Sequence, residues 1–202
     1  MNAVIDYGMG NLRSVEKAFE FLGFAAKIVD EPEQAAAATH LVLPGDAAFG
    51  DAIRNLRAAD WDQAIADGIA AEKPFLGICV GLQLMFEESE EMGQHRGLGI
   101  LPGKCVRFPA EELLPQIGWN QIEITQPDCP LYQDVEDGSH VYFVHSFHPK
   151  PEDESIAATR TTYGVDFVSS VWRDNVFATQ FHPEKSQRVG LKILENFVGL
   201  AG

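Results

Sequence analysis

Phe75-Leu76-Gly77-Ile78-Cys79-Val80-Gly81-Leu82-Gln83 decides how this chain of 202 residues is read. An apolar, strand-like run ends on a cysteine with a glycine two positions to either side. That is the pattern of a nucleophile elbow, in which the chain turns abruptly from strand to helix. Glycines at those places let neighbouring backbone approach where a β-carbon would clash. Cys79 then stands at the strand's end and at the amino end of the helix suggested by Val80, Leu82, Leu84, Met85 and Phe86. Unpaired N–H groups there favour thiolate over thiol. Free cysteine is also often simply buried, so the motif alone leaves Cys79 as either a nucleophile or a packed core residue.

Near the other end, Val176-Phe177-Ala178-Thr179-Gln180-Phe181 reads as a strand running into His182-Pro183-Glu184. In extended backbone, residues two apart share a face, which brings the Glu184 carboxylate toward the His182 imidazole, with Pro183 fixing the dihedral between them. Cysteine, histidine and an orienting carboxylate make a nucleophilic triad. His-Pro-Glu alone also reads as a surface turn; beside an elbow, the triad is the preferred reading.

The length suits one domain, residues 1–202, with a single core. A composition of 46% hydrophobic and 22% charged residues, without repeats or low-complexity tracts, is that of a globular protein. The formal net charge of -15 argues against a nucleic-acid partner, which needs clustered Lys and Arg. No eighteen-residue apolar run suggests a membrane span, and Met1-Asn2 leads directly into Ala3-Val4-Ile5 without a basic, signal-like segment. A cytoplasmic location is expected. Cys79, Cys105 and Cys129 are odd in number and far apart, which suggests neither a disulfide framework nor a thiolate zinc site. His140, His145 and His148 lack an accompanying carboxylate pattern, so no metal site is expected.

Taken in order, Ala3 to Asp6 reads as a strand, followed by the turn Tyr7-Gly8-Met9-Gly10 and a helix from about Asn11 that Gly23 stops. Arg13 stands where a dinucleotide fingerprint needs its third glycine, which excludes that site. Phe24 to Val29 is a second strand, Glu31 to Ala38 a short helix with Pro32 in its first turn, and His40 to Leu43 a third, buried strand. The loop Pro44-Gly45-Asp46-Ala47-Ala48-Phe49 is either a plain strand-to-helix turn or a source of backbone N–H donors for a tetrahedral oxyanion. Helices around Asp51 to Leu56 and Trp61 to Ala71 precede the elbow strand. After the acidic cluster Glu87-Glu88-Ser89-Glu90-Glu91 come β-like runs at Lys104 to Phe108, Gln121 to Thr125, Val141 to Val144, Ile156 to Thr161, Val165 to Trp172 and Val176 to Phe181, all expected to extend the sheet. Ser186 is expected to cap a terminal helix packed on the sheet. The fold class is α/β: one open, mostly parallel or mixed sheet flanked by helices, with sites at the carboxyl ends of strands and a β-rich extension.

With these segments placed, the chain resembles the class I (triad) glutamine amidotransferases, and among them the glutaminase subunits of imidazole glycerol phosphate synthase. The resemblance rests on Asp6-Tyr7-Gly8-Met9-Gly10-Asn11-Leu12-Arg13-Ser14-Val15, Gly77 to Gln83, Gly118-Trp119-Asn120, Tyr142-Phe143-Val144-His145-Ser146 and Gln180 to Ser186. It implies that Cys79 attacks the side-chain amide of L-glutamine, His182 shuttles the proton and Glu184 orients His182. It also implies that the ammonia passes to a cyclase subunit in a heterodimer, for a step shared by histidine and purine metabolism, with no cofactor. Gly45, Gln83, Glu91, Ser146 and Phe147 match positions that hold glutamine, and the N–H groups of Asp46 and Val80 match the oxyanion donors. Asn11, Trp119, Asn120, Tyr142 and Lys185 match positions at the cyclase interface. The family usually reads Pro-Gly-Val-Gly at the oxyanion loop, where this chain has Pro44-Gly45-Asp46-Ala47. The alternatives are a glutaminase serving another amidotransferase, such as one for anthranilate or pyridoxal phosphate, and an inactive interaction subunit.

Overall fold

The computed structural model describes residues 1–201. Its first half alternates strand and helix: β1 (Asn2–Ile5), α1 (Leu12–Phe21), β2 (Ala26–Val29), α2 (Pro32–Ala36), β3 (His40–Leu43), α3 (Phe49–Ala58), α4 (Trp61–Ala70), β4 (Phe75–Ile78) and α5 (Val80–Leu84). β1, β3 and β4 are buried at every position, as strands covered by helices on both faces must be. The Asn11 side chain accepts from the Ser14 N–H and opens α1, and Gly23, at φ 83°, closes it.

The second half is β-rich: β5 (Phe86–Ser89), β6 (His95–Arg96), β7 (Leu101–Arg107), β8 (Gln116–Gln121), β9 (Glu123–Ile124), β10 (His140–His145), β11 (Phe147–Pro151), β12 (Ala157–Tyr163), β13 (Val165–Arg173) and β14 (Val176–Thr179), before α6 (Gln187–Val198). One eight-stranded sheet runs β2-β1-β3-β4-β14-β13-β12-β9. It is parallel from β2 to β14 and antiparallel beyond. β3, β4 and β14 are therefore adjacent and point the same way, so the segments that follow them emerge side by side at one edge of the sheet. Those segments begin with Pro44, Cys79 and Gln180, which is how residues a hundred positions apart come together.

Three expectations need correction. Only β9, β12, β13 and β14 extend the main sheet; β7 joins a four-stranded sheet ordered β11-β7-β5-β6, and β10 pairs with β8 as a separate ribbon. Run composition marks a strand but says nothing of its non-local partner. The elbow helix ends at Leu84, and Phe86 opens β5, with Phe86 and Ser89 buried and Glu87 and Glu88 exposed. Glu87, Glu88 and Ser89 of the acidic cluster are thus strand, held by pairing with β7 and β6. Ser186 holds the N-cap position of α6, but its side chain does not cap the helix: its Oγ donates to the His182 carbonyl at 2.6 Å and accepts from the Tyr142 N–H at 2.9 Å.

Candidate active site

Cys79 takes φ 55° and ψ −108°, a conformation an L-residue holds only when its surroundings force it, at roughly 1–3 kcal/mol. Its N–H donates to the Thr179 carbonyl at 2.7 Å and its carbonyl accepts from Leu82 and Gln83. A β-carbon at Gly81 would lie 1.8 Å from the Leu43 carbonyl oxygen, and one at Gly77 2.8 Å from the Gly81 oxygen. Both glycines are required by close backbone approach. Cys79 is 3% exposed, and its sulfur has the Val144 carbonyl oxygen at 3.8 Å and the Gln180 side-chain nitrogen at 3.7 Å.

His182 Nδ1 and Glu184 Oε1 are 2.8 Å apart, with the two side chains 3% and 2% exposed. The carboxylate does not arrive through extended backbone as expected: Pro183–Lys185 forms a 3-10 turn, which folds Glu184 back onto the ring. With Nδ1 donating to the carboxylate, Nε2 is the free nitrogen. It is buried and, among the described residues, has no hydrogen-bond partner. Burial by itself would lower the His182 pKa; negative charge on Cys79 and the hydrogen bond and charge of Glu184 outweigh it and raise it to about 10. The ring thus keeps its proton, held at Nδ1 by the Glu184 carboxylate.

The loop after β3 is arranged differently from expectation. The Val80 N–H donates to the Gly45 carbonyl at 3.4 Å, so it is engaged within the protein, and the Gly45–Asp46 peptide turns its oxygen toward the site where an N–H donor was anticipated. The Tyr7 hydroxyl donates to the Pro44 carbonyl at 3.0 Å, and burial, then the charges of Asp46 and Cys79, raise its pKa so that it remains a donor. A β-carbon on Gly45 would fall 2.8 Å from both the Tyr7 oxygen and Val80 Cβ. Asp46 is exposed and, among the described residues, its carboxylate makes no hydrogen bond or ion pair.

These segments enclose a cavity of about 410 Å³ onto which Asp46, Cys79, Val80, Gln83, Glu91, Ser146, Phe147, His182 and Lys185 all open. Residues 3–200 match the family described as glutamine amidotransferase class-I. The chain belongs to that family. It is 53% identical over 204 residues to the imidazole glycerol phosphate synthase subunit HisH of Syntrophotalea carbinolica, covering 98% of each chain. It is likewise 53% identical over 195 residues to the HisH subunit of Aquifex aeolicus, covering 96% of this chain and 94% of the relative. Among solved structures, PurLQS from Thermotoga maritima shares the fold with a TM-score of 0.79 at 20% identity, covering 98% and 97% of the two chains.

Within this class-I amidotransferase fold, Gln83 is buried and its amide nitrogen donates to the Phe147 carbonyl at 3.0 Å and the Gln180 oxygen at 3.1 Å. The residue lines the cavity. Glu91 accepts from the Phe49 N–H at 2.7 Å, at the start of α3. Gly45 is not among the residues that line the cavity.

Of the residues matched to a partner interface, Trp119, Asn120 and Tyr142 share the β8–β10 ribbon, where Tyr142 is in register with Trp119. Trp119 is 46% exposed and meets Tyr142 edge-on at 6.0 Å. Asn120 donates to the Thr162 carbonyl, Asn11 caps α1 in the open, and Lys185 lies in the cavity. The ribbon is bonded to the site itself, since the His182 N–H donates to the Tyr142 carbonyl at 2.9 Å. Among the described residues, no cluster of three or more His, Cys, Asp or Glu is placed to hold a metal ion, and no helix is long and apolar enough to cross a membrane.

Three residues of the site had no assigned role in the sequence reading: Tyr7, His145 and Gln180. His145 lines the cavity, and burial lowers its pKa to about 3, so it is neutral. Its Nδ1 must donate to the Phe147 carbonyl, 2.8 Å away, which leaves Nε2 as an acceptor, so the Gln116 amide, whose oxygen is placed 2.9 Å from Nε2, must turn its NH2 group to the ring instead. Each lay inside a quoted motif, but what each touches depends on strand adjacency that no local rule supplies.

Proposed function

We propose that residues 1–202 form a single amidotransferase domain that serves as the cytoplasmic glutaminase subunit of imidazole glycerol phosphate synthase, hydrolysing L-glutamine and passing ammonia to a cyclase subunit in a heterodimer. The observation that carries the chemistry is a buried His182–Glu184 pair at 2.8 Å beside a cysteine held in an elbow. The HisH relatives, matched over nearly the whole length, support the choice of synthase and of histidine biosynthesis.

On this reading the Cys79 thiolate attacks the side-chain carbonyl carbon of glutamine. As the tetrahedral adduct collapses, its C–N bond breaks and the His182 Nε2 proton goes to the departing nitrogen, which leaves as ammonia. Neutral His182 then takes a proton from water as the oxygen attacks the thioester, releasing glutamate and restoring the thiolate–imidazolium pair. Glu184 holds the tautomer throughout. Gln83 and Glu91 offer acceptor oxygens suited to the substrate ammonium group. The oxyanion donors would be the N–H groups of Asp46 and Val80, which requires the Gly45–Asp46 peptide to turn. The test is glutamate release by the subunit with and without its cyclase, together with incorporation of glutamine-derived nitrogen into the cyclase product. Glutamine-dependent product formation from the pair supports the reading, and its absence while added ammonium salts still serve the cyclase rejects it.

A further inference from the structure

We propose that Gln180 is a further residue of the catalytic site: its side-chain amide donates to the Cys79 sulfur and favours the charged thiolate, while Gln83 acts as the positioning residue that holds this amide in the donating orientation. The proposal rests on Cys79 being the nucleophile of the glutaminase reaction.

Gln180 is completely buried between the end of β14 and His182, and buried amides find partners for both ends. Its nitrogen lies 3.7 Å from the Cys79 sulfur, a hydrogen-bond distance for so large an acceptor, and its oxygen lies 3.1 Å from the Gln83 nitrogen. A side-chain amide can be read in either orientation, so the direction has to be argued from the network. The anchor is the Phe147 carbonyl, a backbone acceptor that cannot donate and that also receives the His145 N–H at 2.8 Å. Gln83, 3.0 Å away, must turn its NH2 group to it. The second proton of that NH2 group reaches Gln180, which must present its oxygen. The Gln180 NH2 group is then left facing the sulfur.

The other neighbour of the sulfur is the Val144 carbonyl at 3.8 Å, an acceptor that suits the neutral thiol and repels the thiolate. Gln180 acts in the opposite sense. Unlike His182 it has no proton to give up, so its donation persists through ammonia departure and again when the thioester breaks and negative charge returns to sulfur. It therefore favours the thiolate both as attacking and as leaving group.

The test compares wild type with Gln180→Met, which removes the donor at similar volume, and Gln180→Glu, which keeps the oxygen that Gln83 needs and sets a second oxygen against the sulfur. The first readout is the rate of iodoacetamide alkylation of Cys79 from pH 6 to 9, followed on the Cys79 peptide; the second is kcat and KM of the complex with its cyclase. A hydrogen bond to a charged group predicts alkylation about tenfold slower at pH 7 in Gln180→Met, with the profile displaced to higher pH. It also predicts a similar fall in kcat, with KM within about twofold. Gln180→Glu is expected to be slower still above pH 8, where an ionised carboxylate opposes the thiolate. A purely structural glutamine would lower the melting temperature and leave the alkylation profile in place, and that result in either folded variant overturns the proposal. In the wild-type protein, the Gln180 side-chain amide resonance should follow the same pH profile; a resonance indifferent to it overturns the proposal even if neither variant folds. Wild-type glutamate release by Cys79→Ala would reject the nucleophile assignment itself, which is a separate outcome.

Discussion

The turns after β4 and β14 differ from the turn after β3 in how firmly their polar groups are held. At Cys79 and His182, backbone N–H groups bond to Thr179 and Tyr142 at 2.7 and 2.9 Å, and the His182 ring is fixed by Glu184. At Pro44–Ala47 the loop is fastened by the Tyr7 hydroxyl and by one longer bond, from the Val80 N–H to Gly45 at 3.4 Å. The strained φ of Cys79 persists because its surroundings over-determine it, whereas the loop's contact occupies the Val80 N–H that the proposed oxyanion site would need. On the proposed mechanism, nucleophile and oxyanion site are thus separable parts, and catalysis requires both.

The largest expected effect breaks the firm region. Cys79→Ala should lower glutamate release on the order of 10⁴-fold or more, while the cyclase still runs on ammonium salts. Steady-state glutamate assays of the complex check it, and wild-type turnover would remove Cys79 from the mechanism. Glu184→Gln should cost about 10³-fold in kcat, because an amide can donate to Nδ1 and leave the ring in the wrong tautomer.

Much of the firm region was legible because its signals are local. Gly77 and Gly81 flank Cys79, and Glu184 follows His182 by two residues. Even so, the route was misread, since the carboxylate arrives by a 3-10 turn and not by extended backbone. What Gln180 and Tyr7 touch was not legible, because both contacts exist only once β1, β3, β4 and β14 lie side by side. β5 was hidden for a similar reason: Glu87 and Glu88 look like a solvated run, and only pairing with β7 makes a strand of them. The loop's orientation could not be read from Pro44-Gly45-Asp46-Ala47, since either face of the Gly45–Asp46 peptide is compatible with those residues.

The smaller effects sharpen the loose region. Addition of cyclase with its bound ligand should raise glutamate release by about 10² to 10³, the worth of an oxyanion donor supplied when the loop turns. Asp46→Val, restoring the residue usual in the family, should change activity less than about tenfold, because an exposed carboxylate is screened by solvent and salt. A gain well beyond that in the cyclase-bound variant would mean that the Asp46 carboxylate faces the developing oxyanion.

The separation of the two regions is tested most directly by measuring two rates on one preparation, with and without ligand-bound cyclase: alkylation of Cys79 by a small reagent, and hydrolysis of glutamine. The account predicts that alkylation changes by no more than about threefold, while hydrolysis rises by two orders of magnitude or more. If both rise together, the nucleophile itself is unready in the isolated subunit. If hydrolysis is already complete in speed without the partner, the loop does not limit the reaction; either result contradicts the account.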